Sequence, residues 1–139
     1  MGVIGVFLVD FWAPMAYSPR MPREFITVAE TPLFVRQAEK VWSEDEREAF
    51  VTFIAANPEA GDVIPDTGGV RKVRWTRAGS GKRGGTRVVY FYYDASRPLY
   101  LLLVYAKTRQ ENLSPDEKRQ ARKLAAILKG RGTSKRRKV

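Results

Sequence analysis

The sequence predicts an α+β fold in which helices pack on a small sheet. Two capped amphipathic segments lie in the first half of the chain, and three β-like runs joined by turn-rich links follow between residues 70 and 107. A last amphipathic helix is predicted after Ser114. With 139 residues, 44% of them hydrophobic, the chain is long enough for one domain with a substantial core and too short for two.

The first 22 residues differ from the rest of the chain. An apolar run over residues 3–9 is interrupted by Asp10, and Pro14 and Pro19 follow. No Lys or Arg precedes the run, as a secretory signal would require, and the run is too short to span a bilayer. We therefore expect residues 1–22 to be an extension that is disordered or upstream of the true start. The alternative is a weakly ordered arm on the surface.

The next segment predicts a strand followed by a helical hairpin. Residues 24–30 alternate enough for a first strand. Thr31-Pro32 then predicts a helix start, because Thr is a favoured N-cap and Pro is tolerated at the first helical position. Ser43 with Glu46 three residues later is a capping box that begins a second helix. The apolar positions of both helices recur at helical spacing and are expected in the core.

Three β-like runs form the predicted antiparallel meander, and each carries at least one cation. They are Val70–Trp75, Thr86–Tyr93 and Leu101–Lys107. Lys72 and Arg74 lie two residues apart in the first run, so they share one face of the strand. The third run is almost wholly apolar, which is typical of a central strand.

The C-terminal segment predicts one more helix and a basic tail. Ser114-Pro115-Asp116-Glu117 combines a capping box with Pro at the first helical position. Gly130 is expected to end this helix, so the folded domain is predicted over residues 23–129. Residues 130–139 contain Lys135-Arg136-Arg137-Lys138 and are expected to be a disordered tail that binds phosphate.

Composition narrows the classes of function. The net charge is +10, but residues 1–69 balance at −6 and residues 70–139 at +16. A basic half this one-sided is typical of proteins that bind phosphate-rich partners. It favours RNA or DNA as the partner over an anionic membrane. The alternative is a solvated basic surface without a ligand. The chain has no cysteine and no histidine, which excludes disulfides, thiol catalysis and the commonest general base.

An RNA-cleaving site is still possible without histidine. The 2′-hydroxyl of a ribose can attack its own 3′-phosphate if a base removes its proton and cations stabilise the charged intermediate. A lysine among other cations can act as base, and arginines can hold phosphate oxygens with forked hydrogen bonds. No metal or other cofactor is expected, because the nucleophile belongs to the substrate.

Several segments, taken in order, resemble the HigB-like branch of the RelE/ParE toxin superfamily. The resemblance covers about Phe25 to Leu128 and is carried by Gln37–Lys40, Ser43–Glu46, Gly61–Pro65, Gly68–Trp75, Gly81–Tyr90 and Val104–Lys107. It implies a RelE-like fold and a cytoplasmic toxin of a type II toxin–antitoxin pair. Such toxins enter the ribosomal A site and cut mRNA, and a cognate helix-turn-helix antitoxin neutralises them.

The resemblance also implies a set of site residues. By position it implies the catalytic residues Lys72, Arg74, Arg87 and Lys107. The pattern of cations and aromatic residues itself adds the expected RNA-binding residues Arg71, Lys82, Arg83, Tyr105 and Arg109. Lys82 and Arg83 lie in a Gly-rich loop that either reaches a phosphate or is a plain flexible turn. Some relatives use a C-terminal tyrosine or histidine in catalysis, which this chain lacks after Tyr105. Lys72 is therefore the favoured base, with Tyr105 or Lys107 as alternatives.

Two other functions compete with mRNA cleavage. One is a toxin of the same fold that inhibits gyrase by binding, although Lys72, Arg74 and Arg87 argue against it. The other is an RNA- or DNA-binding protein without catalysis, whose affinity would fall steeply with salt. If the protein instead cleaves mRNA on the ribosome, the acidic first half is expected to point its helical hairpin away from the RNA or towards the antitoxin.

Overall fold

A computed structural model describes the backbone of residues 2–4, 25–76 and 85–137, and the side chains of residues 25–76 and 85–130. Three helices and six strands lie in these ranges. The strands are β1 (Gly2–Ile4), β2 (Val28–Glu30), β3 (Asp62–Val63), β4 (Val70–Trp75), β5 (Thr86–Phe91) and β6 (Leu99–Ala106). The helices are α1 (Pro32–Val41), α2 (Glu44–Ala56) and α3 (Pro115–Arg137). The predicted α+β class is confirmed.

The strands form one mixed sheet in the order β1-β2-β6-β5-β4-β3. As predicted, β4, β5 and β6 are an antiparallel meander. β2 lies beside β6 and runs parallel to it, so the apolar β6 is a central strand. A register shift between Val89 and Tyr90 interrupts the pairing of β5 with β6.

The two faces of the sheet carry separate hydrophobic clusters. On one face, Phe34 of α1 and Phe50 of α2 are fully buried against Val88 and Tyr90 of β5. On the other face, Ala125 of α3 is buried in a cluster with residues of β4, β5 and β6. The sheet therefore separates the helical hairpin from α3, and the aromatic residues of the hairpin are core residues as predicted.

The predicted helix starts are also confirmed. The Thr31 side chain accepts a hydrogen bond from a backbone N–H in the first turn of α1. In the box that starts α2, the Ser43 N–H donates to Glu46 at 2.9 Å, and the Glu46 N–H donates to Ser43 Oγ at 3.1 Å. The same pair of bonds joins Ser114 and Glu117 at the start of α3.

The edges of the sheet differ from the prediction. β2 is confined to Val28–Glu30, although residues 24–30 are predicted as a strand. β3 lies in the predicted loop of residues 61–69 and pairs with β4. β1 lies within the predicted extension of residues 1–22 and pairs antiparallel with β2. These added strands are two or three residues long, and they satisfy backbone groups that would otherwise line an open sheet edge.

The end of α3 also differs from the prediction. Gly130 does not end the helix, which continues to Arg137 through part of the predicted tail. A glycine inside a helix costs about 1 kcal/mol relative to alanine, and extending an existing helix is far easier than starting one. A single glycine therefore weakens the last turns without stopping them.

Candidate functional site

Two arginines and a tyrosine form one row across the α3-covered face of the sheet. In the register of the strands, Arg74 of β4 lies opposite Arg87 of β5, and Arg87 lies opposite Tyr105 of β6. Directly paired residues point to the same face, and like charges in such a pair repel each other. This face therefore favours an anion that relieves the repulsion.

Arg87 is the buried member of that row. It is only 4% exposed, and burial of a guanidinium is costly unless a carboxylate accompanies it. Its Nη2 atom donates to Glu111 Oε2 at 3.3 Å. Glu111 lies in the loop between β6 and α3, and its side chain is 52% exposed. The Arg87 guanidinium thus lies at the buried end of the site, and the Glu111 carboxylate lies at its solvent-exposed end.

The segment Glu111–Asn112 accepts hydrogen bonds from side chains of three strands. Besides the bond from Arg87 of β5, Lys72 Nζ of β4 donates to Asn112 Oδ1 at 2.7 Å and to Glu111 O at 3.3 Å. The hydroxyl of Tyr105 in β6 donates to Glu111 O at 3.4 Å. The side chains of Lys72, Arg87 and Tyr105 therefore all contact the same short loop segment.

The electrostatics of this point follow from the same contacts. The hydrogen bond from Arg87 holds the pKa of Glu111 below its usual range, and the charges of Lys107 and Lys72 act in the same direction. Lys107 thus joins Lys72 and Arg87 in what we call the cationic cluster. Burial raises the pKa of Tyr105, and the charge of Glu117 adds to the rise. At neutral pH the site accordingly holds a carboxylate at Glu111 and a protonated phenol at Tyr105.

The structure brings together some of the predicted site residues and separates others. Lys72, Arg87, Lys107 and Tyr105 converge around Glu111, and Arg74 is exposed beside Arg87.

Arg71 lies apart from the cluster, because successive residues of a strand point to opposite faces. Its Nη1 atom donates to Gly61 O at 2.6 Å, so the side chain is tied to the loop after α2. Arg109 is exposed in the loop after β6. Lys82 and Arg83 lie outside the described residues.

Sequence reasoning missed Glu111 and Asn112, because it considered only cations and aromatic residues. A signal was present: residues 70–139 contain only four acidic residues, and Glu111 is one of them. It also lies between the end of a predicted strand and the Ser114 cap, where a loop must return to the sheet.

The described residues contain neither a clustered set of metal ligands nor a membrane-spanning helix. In this part of the chain, no group of three or more Asp, Glu, His or Cys side chains is arranged to hold a metal ion. None of the described helices is both long enough and apolar enough to cross a membrane.

The fold and the site define a small basic α+β protein with a cationic cluster on one face of its sheet. Comparison with protein families matches the RelE toxin of the RelE/RelB toxin–antitoxin system over residues 30–138. The chain therefore belongs to the RelE toxin family. This match confirms the resemblance to the superfamily and the role of toxin, and it implies an antitoxin partner. The HigB-like branch stays a prediction.

Proposed function

We propose that this toxin is a ribosome-dependent mRNA endonuclease of the HigB-like branch that acts in the cytoplasm. The observation that carries the proposal is that Lys72 and Arg87 both donate to the Glu111–Asn112 segment, with Lys107 close enough for its charge to act on Glu111. Three cations at one point suit a phosphodiester whose charge increases during the reaction.

The proposed reaction is attack of a ribose 2′-hydroxyl on the adjacent phosphate. It yields a 2′,3′-cyclic phosphate and a free 5′-hydroxyl. Arg87 can hold two phosphate oxygens with its planar fork, and Lys72 and Lys107 supply further positive charge. Lys72 Nζ donates to Asn112 Oδ1 and Glu111 O, so it is held at the same loop segment that Arg87 contacts.

The family match implies an antitoxin, and the resemblance seen in the sequence suggests its type. We propose a helix-turn-helix antitoxin that neutralises the toxin, and the ribosomal A site with its mRNA as the target. The acidic hairpin lies on the sheet face opposite the cationic cluster. This placement supports a binding mode in which Glu44, Glu46 and Glu48 do not face ribosomal RNA.

The test is induced expression in a bacterial host, with mapping of mRNA 5′ ends. The wild type should arrest growth and produce cuts inside translated codons, and Arg87→Gln should abolish both. Glutamine is preferred to alanine because Arg87 is buried, and alanine would leave a cavity as well as remove the charge. Arg36→Gln is the matched control, since it removes an exposed cation from α1 on the opposite side of the sheet.

Three other outcomes would contradict the proposal in different ways. Growth arrest without cuts would favour the gyrase-inhibiting type of toxin. Neither arrest nor cuts would favour a nucleic-acid-binding protein without catalysis. Cuts that persist in Arg87→Gln at equal protein level would remove Arg87 from the site.

A further inference from the structure

We propose that Glu111 is the general base of the cleavage and takes the proton from the attacking 2′-hydroxyl. This inference rests on the proposed endonuclease function and assigns the proton-accepting group, which neither the family match nor the sequence identifies. It differs from the sequence-based expectation, in which Lys72 is the favoured base.

Glu111 lies where the attacking hydroxyl must be. Glu111 Oε2 lies 3.3 Å from Arg87 Nη2, and the two side chains are 52% and 5% exposed. A phosphate that reaches Arg87 must therefore arrive beside the Glu111 carboxylate. The attacking 2′-oxygen is attached to the carbon next to the one that bears this phosphate. A base has to lie within hydrogen-bond reach of it, about 2.6–3.2 Å, and a side chain on this exposed rim can reach that position.

The protonation state of Glu111 and its neighbours also favours Glu111 as the base. A base must be unprotonated before the reaction, and Glu111 is a carboxylate because Arg87 and the lysines hold its pKa low. The phenol of Tyr105 keeps its proton because burial raises its pKa. The Glu117 carboxylate accepts hydrogen bonds from Ser114 N at 2.9 Å and Gln110 Nε2 at 3.1 Å, so it is engaged in the helix cap. Of the three acidic groups compared, Glu111, Glu117 and Tyr105, Glu111 is the one whose side chain is both deprotonated and exposed.

Substrate binding increases the base strength of Glu111. A carboxylate beside three cations is a weak base in the free protein. A bound phosphodiester adds a negative charge next to the same cations, which weakens their hold on Glu111 and raises its affinity for a proton. The charges that act on Glu111 are those of Lys72 of β4, Arg87 of β5 and Lys107 after β6. The Tyr105 hydroxyl donates to the Glu111 carbonyl, Arg74 lies beside Arg87, and the charge of Glu117 acts on Tyr105.

The proton and electron balance of the step is simple. The O2′–H bond breaks and its proton passes to a Glu111 carboxylate oxygen. The freed electron pair forms the O2′–P bond, and the P–O5′ bond breaks. The leaving 5′-oxygen takes a proton from water, and Glu111 later returns its own proton to solvent.

The experiment measures single-turnover cleavage of mRNA on programmed ribosomes across a range of pH. Glu111→Gln keeps an oxygen that can accept from Arg87 but cannot take the proton. We expect its cleavage rate to fall by about 10²–10⁴-fold, the usual contribution of a general base. The affinity for ribosomes carrying an mRNA with a 2′-deoxy nucleotide at the cut position should be unchanged or tighter. Asp116→Asn, which removes an exposed carboxylate five residues away, should cleave at the wild-type rate.

The pH profile separates catalysis from a structural role. The wild-type rate should fall at acidic pH as Glu111 becomes protonated, and this acidic limb should be absent in Glu111→Gln. Glu111→Asp retains a shorter carboxylate, so it should keep the limb at a reduced rate. Urea unfolding of each variant checks that a lost rate is not lost folding.

Several results would overturn the proposal. Faster cleavage by Glu111→Gln would show that the carboxylate competes with phosphate for Arg87. A wild-type rate in Glu111→Gln would exclude Glu111 as the base while leaving the endonuclease function intact. No cleavage by the wild-type protein would instead remove the proposed function itself.

Discussion

Tyr90 of β5 shows how a buried polar side chain is kept in place. Tyr90 is fully buried on the hairpin face of the sheet. Its hydroxyl donates to Pro58 O at 2.8 Å and accepts from Gly61 N at 2.8 Å. Gly61 fits there because a Cβ atom would come within 2.7 Å of Lys72 O. The phenol thus ties the loop after α2 to the middle of the sheet.

Tyr90→Phe should therefore destabilise the protein more than removal of a hydroxyl usually does. The Gly61 N–H would be left buried without its acceptor, and such a loss costs about 1–3 kcal/mol of unfolding free energy. Urea unfolding followed by circular dichroism measures the change. Tyr92→Phe, at a half-buried position of the same segment, is the control and should shift the midpoint much less. Equal midpoints for both variants would mean that the Tyr90 hydrogen bonds contribute little.

The residues of the cationic cluster were predictable as cations, but their convergence was not. Alternation along a strand places Lys72 and Arg74 on one face. The alignment of Arg74 with Arg87 and Tyr105 depends on the register of three strands, which includes a shift after Val89. Register depends on cross-strand packing that a single sequence does not display. The contribution of Glu111 depends on how a loop folds back on the sheet, which no local pattern encodes.

At the element scale, the caps decide where helices begin, and one of them also holds the site. The Ser114 cap starts α3 two residues after Asn112, so it fixes the end of the loop that meets Lys72 and Arg87. The Ser43 cap has the same geometry at the start of α2, on the opposite face of the sheet. The two serines are thus matched in chemistry and differ in what lies beside them.

Ser114→Ala and Ser43→Ala should each lower the free energy of unfolding by about 1 kcal/mol, because each removes one N-cap hydrogen bond. Thermal unfolding of the two variants measures this cost. If the endonuclease function is correct, only Ser114→Ala should also slow mRNA cleavage, since it loosens the Glu111–Asn112 segment. An equal loss of cleavage in Ser43→Ala would show that the effect follows overall stability and not the loop.

Local signals explain which elements were predictable. The starts of α1, α2 and α3 follow from capping residues within four positions of each start. β1 and β3 were missed because strands of three and two residues contain too few positions to show alternation. The end of α3 was misplaced because a glycine only weakens a helix, and the extension past Gly130 depends on turns already formed.

At the scale of the whole molecule, the sheet separates two charge environments. The acidic first half folds into the hairpin on one face, and the basic second half supplies the cationic cluster and α3 on the other. An approaching polyanion is thus attracted to one face and repelled by the other. The sequence predicts the charge split, but which face each half covers depends on how the strands connect.

Because the two faces differ in charge, the salt dependence of nucleic-acid binding should change when a cation is removed from the α3 side and stay unchanged when one is removed from the hairpin side. The probe is a 2′-O-methyl RNA oligonucleotide, which offers phosphates but no attacking hydroxyl. Each lost phosphate contact on a single strand should reduce the slope of log affinity against log salt by about 0.7. Arg74→Gln removes an exposed cation beside Arg87, so its slope should be shallower by about that amount.

Arg36→Gln is the matched control, because it removes the same charge from an exposed position of α1 on the hairpin side. Its slope should equal that of the wild type, although both variants lower the net charge by the same amount. Fluorescence anisotropy titrations at several salt concentrations measure both slopes. If the two variants weaken binding equally, affinity follows net charge alone, and the α3-covered face has no special role in holding RNA.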